Sequence, residues 1–134
     1  MAESAAHIEH LAASDFQKSR AFSPAVITQG GKTVWLAGQT ATVDESGKDI
    51  SNNFEAQTRT IFALIDKTLR RTGGTLANLV TMTVFINDPR YGDAFVKIRA
   101  EIFSDGKFPA SALITVANFA RPGMLIEIQG VAVI

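Results

Sequence analysis

Side chains able to do chemistry are scarce in this 134-residue chain, which holds two histidines and no cysteine. The outstanding one is Glu127, a carboxylate inside the apolar run from Met124 to Ile134. Strand alternation puts Leu125, Glu127, Gln129, Val131 and Val133 on one face, and Met124, Ile126, Ile128, Ala132 and Ile134 on the other. A carboxylate on a buried strand must be paired, or its pKa must rise. Perturbed carboxylates gather at functional sites. Two plainer readings stay open: an edge-strand glutamate facing water, or one half of an ion pair between subunits. His7 and His10, with Glu3 and Glu9 nearby, have a spacing that could set two ligands on one helical face. Metal sites need a rigid frame, however, so a solvated terminus is expected and no metal. Neither histidine is placed to serve a Ser-His-Asp triad. Without cysteine there is no thiol nucleophile, disulfide frame or thiolate metal site.

The elements that must carry Glu127 follow from pattern. Two β-prone runs, Phe22 to Thr28 and Thr33 to Ala37, flank Gly30-Gly31 and read as a hairpin. Asn52 with Glu55 resembles a capping box, and Phe54, Thr58, Ile61, Ile65, Thr68 and Leu69 recur at helical spacing up to Gly73-Gly74. Val80, Met82, Val84 and Ile86 alternate against Thr81, Thr83 and Phe85, which is a strand. Asp88-Pro89 starts a second helix with the stripe Tyr91, Phe95, Ile98 and Ile102. Ala110 to Val116 and Met124 to Ile134 are strands joined through a turn at Arg121-Pro122-Gly123. The order ββαβαββ describes an α+β domain with two helices on one face of a mixed sheet. Residues 1–20 read as a polar, loosely ordered extension, and residues 21–134 as the domain.

Composition narrows the function. Thirteen basic residues balance thirteen acidic ones, and 46% of the chain is hydrophobic. That excludes disorder and argues against nucleic acid, whose binding needs a clustered cationic surplus. No apolar stretch approaches a signal-peptide core or the ~20 residues of a membrane span, so no membrane partner and a cytoplasmic location are expected. Mean hydropathy is slightly positive for a soluble monomer of 14.4 kDa. The sheet face opposite the helices lacks a cover in this chain, and a symmetric oligomer would supply one.

Several pieces together resemble the YjgF/Rid family of small trimeric enamine/imine deaminases. They are Ser23-Pro24-Ala25-Val26, Gly38-Gln39, Gln57-Thr58, Gly73 to Val80, Thr83 to Asp88, Phe108-Pro109-Ala110 and Leu125-Ile126-Glu127-Ile128. The resemblance implies a chorismate-mutase-like homotrimer with sheets facing inward and small-molecule pockets in the clefts between subunits. It also implies hydrolysis of enamines or imines to 2-oxo acids and ammonia without a cofactor. The glutamate matching Glu127 would position water, and the backbone around Ala37 and Gly38 would line the pocket.

This chain departs from the family pattern. The arginine that grips the substrate carboxylate falls on Ser111, beside Ala110. The pocket tyrosine falls on Pro24, with Phe22 the nearest aromatic. A helical asparagine falls near Val96 or Lys97, and a cysteine on Leu113. A serine is no carboxylate anchor, so a substrate other than 2-aminoacrylate is expected, larger or less acidic. Arg99, Arg121 and Lys97 are candidate replacement cations by neighbourhood. Trp35 is either strand core or part of an aromatic lining with Phe22 and Leu113. The alternative function is a non-catalytic trimer that binds a metabolite or partner.

Overall fold

The computed structural model describes residues 5–134. In chain order it has β1 (His7–His10), α1 (Asp15–Ser19), β2 (Val26–Gln29), β3 (Thr33–Trp35), α2 (Phe54–Arg70), β4 (Leu79–Ile86), α3 (Gly92–Ile102), β5 (Ala110–Thr115) and β6 (Ile126–Val133). From β2 onward this is the expected ββαβαββ order in a mixed α+β fold. None of the described helices is long and apolar enough to cross a membrane.

The main sheet runs β3-β6-β4-β5, with β4 and β5 parallel and the other pairs antiparallel. One face carries Met82, Val84, Ile86, Ile126, Ile128 and Ala132, all essentially inaccessible, beneath Ile61, Phe62, Ile65 and Leu69 of α2 and Phe95 of α3. Leu79, not Val80, takes the buried place at the start of β4, because the register against β6 slips between Leu79 and Thr81. The opposite face presents Thr83, Phe85, Glu127, Gln129, Val131 and Ile114, the pairs of the register fixing this alternation. On that face Trp35 is 79% exposed and Ile114 42%.

Three local expectations need correcting. The hairpin does not form: β2 pairs with β1, and β3 pairs with β6. Gly30 and Gly31, at φ 67° and 74°, turn the chain from one sheet into the other. A Cβ on Gly31 would lie 2.5 Å from the Ile134 carbonyl oxygen and 2.8 Å from Ala6 Cβ, so only glycine fits this crossing. The polar start is structured as far as it is described. Its β1 satisfies the edge of β2, and α1 closes a capping box in which the Gln17 N–H donates to Ser14 Oγ and the Ser14 N–H to Gln17 Oε1. The cap of α2 is Asn53, whose Oδ1 accepts from the Ala56 N–H at 3.0 Å. Asn52 is displaced from that role by its left-handed φ of 60° while its N–H bonds to the Gly123 carbonyl.

Gln57 ties α2 to the chain entering β6. Fully buried, it donates to the carbonyls of Ile50 (3.0 Å) and Gly123 (2.7 Å) and accepts from the Leu125 N–H (2.9 Å). All of its polar atoms have partners, so it fixes where Ile126 and Glu127 begin without leaving an unmet donor.

Candidate functional site

Ser111 and Leu113 of β5 pair with Met82 and Val84, so their side chains share the helix-covered face of the sheet. Because β5 is an edge strand, α3 roofs this end incompletely and a cleft of about 270 Å³ remains. Phe16, Arg20, Phe22, Val96 and Arg99 complete its walls. Phe22 is aimed by the next residue: Ser23 bridges to Ala110, with its N–H on the Pro109 carbonyl and its hydroxyl donating to the Phe108 carbonyl at 2.6 Å.

Arg99 dominates the electrostatics of the cleft. It is 2% exposed, and no carboxylate among the described residues pairs with it. Nη1 donates to Ser111 Oγ at 2.5 Å, Nη2 to the Arg20 carbonyl at 3.0 Å, and Nε has no partner. The guanidinium carbon lies 4.8 Å from the centre of the Phe95 ring, a cation–π contact that offsets part of the desolvation. Burial, and secondarily the like charge of Arg20, lowers its pKa from the ordinary arginine value to about 10, so it is still a cation at neutral pH. Arg20 itself is matched by Asp93 at 2.7 Å. The cleft therefore holds one unneutralised positive charge, placed at the residue where the sequence has serine. A carboxylate is the ligand that such a guanidinium favours.

Glu127 is on the other face. It is half-buried, directly opposite Phe85 on β4, in a hollow of about 270 Å³ with Val116, Asn118, Phe119 and Ala120. Among the described residues it makes no ion pair and no side-chain hydrogen bond. Gly38 passes closely enough that a Cβ there would lie 2.7 Å from Glu127 Oε2. The Gln39 N–H donates to the Ile128 carbonyl (2.8 Å) and Ile128 returns the bond (3.1 Å), which holds the exposed Ala37–Gly38 backbone beside the carboxylate. A free carboxylate with a bare backbone next to it can accept a hydrogen bond from water and aim its oxygen.

Of the residues expected from sequence, Phe22, Val96, Ser111 and Leu113 meet in the edge cleft, while Ala37 and Gly38 lie beside Glu127. One chain does not bring these two groups together, because the sheet separates them. Ala110 pairs with Thr81 and faces away from the cleft. Pro24, Lys97 and Arg121 are exposed and line neither hollow. His7 and His10 are on a strand, where a separation of three residues puts side chains on opposite faces. No group of three His, Cys, Asp or Glu able to hold a metal occurs among the described residues, and Glu3 lies outside them. Sequence reasoning missed Phe16 and Arg20. They sit four apart, Phe16 on α1 and Arg20 at its C-terminal cap, the spacing that puts two side chains on one helical face. Arg99 had a readable signal too, since it follows Phe95 by four and Val96 by three on the apolar stripe of α3.

Comparisons with known proteins agree with this architecture. A family model described as Endoribonuclease L-PSP matches residues 13–134. The Rid-family protein YyfB of Yersinia pestis, itself of unknown function, superposes with a TM-score of 0.82 at 24% identity, covering 96% of this chain and 98% of its own. A member of the YjgF/YER057c/UK114 family from Mycobacterium tuberculosis gives 0.67 at 26% identity, covering 96% of this chain and 100% of its own. YyfA, also of Yersinia pestis, gives 0.70 at 25% identity with 96% and 100% coverage.

Proposed function

The chain belongs to the YjgF/Rid family, and from that premise we propose that it hydrolyses a small carboxylate-bearing imine or enamine to a 2-oxo acid and ammonia. The observation that carries the reading is Arg99: a buried guanidinium that no carboxylate among the described residues neutralises, held on Ser111 in the wall of a cleft of about 270 Å³. It supports carboxylate binding although the strand residue itself is a serine.

An imine carbon is already electrophilic, so the protein need only anchor the substrate and orient one water. Arg99 holds the carboxylate. Glu127 accepts a hydrogen bond from the water, whose oxygen adds to the imine carbon as the C=N π pair moves to nitrogen. The proton that the water gives up passes by way of Glu127 to that nitrogen, which yields the carbinolamine. As this collapses, its hydroxyl proton passes to the amino group, the carbonyl forms, the C–N bond breaks and ammonia leaves. No cofactor enters this sequence. An enamine joins it after protonation at carbon.

Arg99 and Glu127 act on one substrate only if they come from different copies of the chain. The open sheet face, with Trp35 and Ile114 uncovered, supports the same assembly, a homotrimer whose clefts lie between neighbours. The decisive assay generates enamines of several sizes in situ and follows their decay with the wild type and Glu127→Gln. Acceleration lost on substitution supports the hydrolase. No acceleration for any substrate overturns it, and carboxylate binding that persists would then leave a metabolite-binding protein. RNA cleavage in place of imine decay would replace both readings. A sedimentation mass of 14.4 kDa, rather than three times that, would refute the trimer.

A further inference from the structure

We propose that α1 makes the edge cleft selective for monocarboxylates with a bulky apolar body, Arg99 taking the carboxylate and Phe16, with Phe22 and Leu113, taking the body. This deepens the hydrolase reading and rests on it for the substrate's reactive carbon, although the selectivity is a binding property.

The charge count sets the first half. Arg20 is already neutralised by Asp93, a carboxylate 92% exposed on the outer rim. Arg99 is not neutralised, so the cleft asks for one negative charge and not two. Ser111 accepts a hydrogen bond from Arg99 and keeps its own proton to donate to a carboxylate oxygen.

The wall sets the second half. Phe16 is the sole large apolar residue of α1 and is 68% exposed, while Leu113 is 36% exposed. Both border the same cleft as Phe22 and Val96. Its volume of about 270 Å³ lies just below the range of drug-sized ligand pockets, which suits a small acid with a ring and exceeds what a methyl group needs.

α1 is a fixed wall, not a loose arm. Its capping box closes one end, and at the other the Arg20 carbonyl accepts from Arg99 while its guanidinium grips Asp93. Ala21 follows with a φ of 59° and 1% exposure, a left-handed turn that sends Phe22 back into the cleft. The Arg20 carbonyl that accepts from Arg99 thus also fixes the end of the helix that carries Phe16.

Titration calorimetry on the full chain at neutral pH tests this with stable product analogues: phenylpyruvate, pyruvate, 2-oxoglutarate and uncharged phenylacetone. Phenylpyruvate should bind at least tenfold more tightly than pyruvate and 2-oxoglutarate, and phenylacetone at least tenfold more weakly than phenylpyruvate. Phe16→Ala, an exposed substitution that spares the core, should weaken phenylpyruvate about fivefold and leave pyruvate within twofold. Equal binding of pyruvate, tighter binding of 2-oxoglutarate, or an unchanged Phe16→Ala variant would overturn the proposal. None of these readouts needs turnover. Imine decay assayed on the same samples separates failure of the hydrolase reading from failure of the selectivity.

Discussion

The edge cleft and the Glu127 hollow have similar volumes but opposite character. The cleft draws on α1, α3, β5 and the segment between α1 and β2, and its arginine is 2% exposed with two hydrogen bonds fixed. The hollow sits on an uncovered sheet face, and its carboxylate has no protein partner among the described residues. One half is walled within a single chain; the other lies open on the sheet face. On the proposed reading ligand binding and water activation are therefore separable, which makes each open to a different perturbation.

The largest effect should come from Trp35→Glu. A charge on the 79%-exposed indole position of the open face would break the proposed sheet-to-sheet assembly. Sedimentation should read a monomer, imine hydrolysis should fall to background, and calorimetric binding of phenylpyruvate should fall by no more than about tenfold. Loss of all binding would show that the cleft, too, depends on the neighbour. Next in size, Glu127→Gln should cut kcat by roughly 10²–10⁴, the usual contribution of a positioned acid or base. Its ligand binding should stay within about twofold, which erases one half of the comparison and leaves the other.

Arg99→Met combined with Ser111→Ala should do the reverse. Ligand affinity should drop at least tenfold, while the fold gains about 1–3 kcal/mol, as when a buried charge gives way to apolar packing. The pKa fixes the sign. Arg99 releases its proton at about pH 10 when folded, well below the ordinary arginine value. Between these values the unfolded chain holds the extra proton, so the stability contribution of Arg99 rises with pH there. Below about pH 10 its destabilisation is fully present, and the double variant should melt higher than wild type. Ligand affinity of the wild type should be flat from neutral pH and decline above about pH 10. Smaller still is Gly38→Ala. Its Cβ would lie 2.7 Å from Glu127 Oε2, the flexible end of a side chain that must swing aside. An approximately tenfold loss in kcat at unchanged KM is expected, because only the aim of the carboxylate changes.

How much of this was legible depends on which force set each feature. The alternation of β6 and β4 and the stripe of α2 were readable because burial alone decides them. The face carrying Glu127 came with them. Pairing partners were not readable: β2 looked ready to fold onto β3, but both glycines between them adopt positive φ and divide the chain between two sheets. The missing anchor illustrates the same limit. Sequence shows a serine where the family has an arginine, while the guanidinium that reaches it starts twelve residues earlier on another element. Arg99 sits on an apolar stripe, a visible anomaly, yet only packing shows that it is turned toward Ser111 and not toward solvent. Arg20 and Phe16 came from a segment whose polar composition gave no hint that it would dock.

The smallest expected effect is the most discriminating for the cleft itself. Ser111→Ala removes the hydroxyl that accepts from Arg99 Nη1 but leaves the Arg20 carbonyl on Nη2 and the Phe95 ring beneath. If Arg99 is the anchor and Ser111 its guide, a charge-assisted bond of about 1.5–3 kcal/mol is lost from the empty protein. A bound carboxylate can take the vacated donor, which offsets the bond it loses from the Ser111 hydroxyl. The stability of the free protein should therefore fall, while affinity for phenylpyruvate changes by less than about fivefold, so that ligand raises the melting temperature by a similar amount in the variant and in wild type. Loss of affinity as large as in the Arg99→Met background would make the serine the direct carboxylate ligand instead. The two roles are told apart by whether stability and affinity move together, which a melting series with and without ligand measures directly.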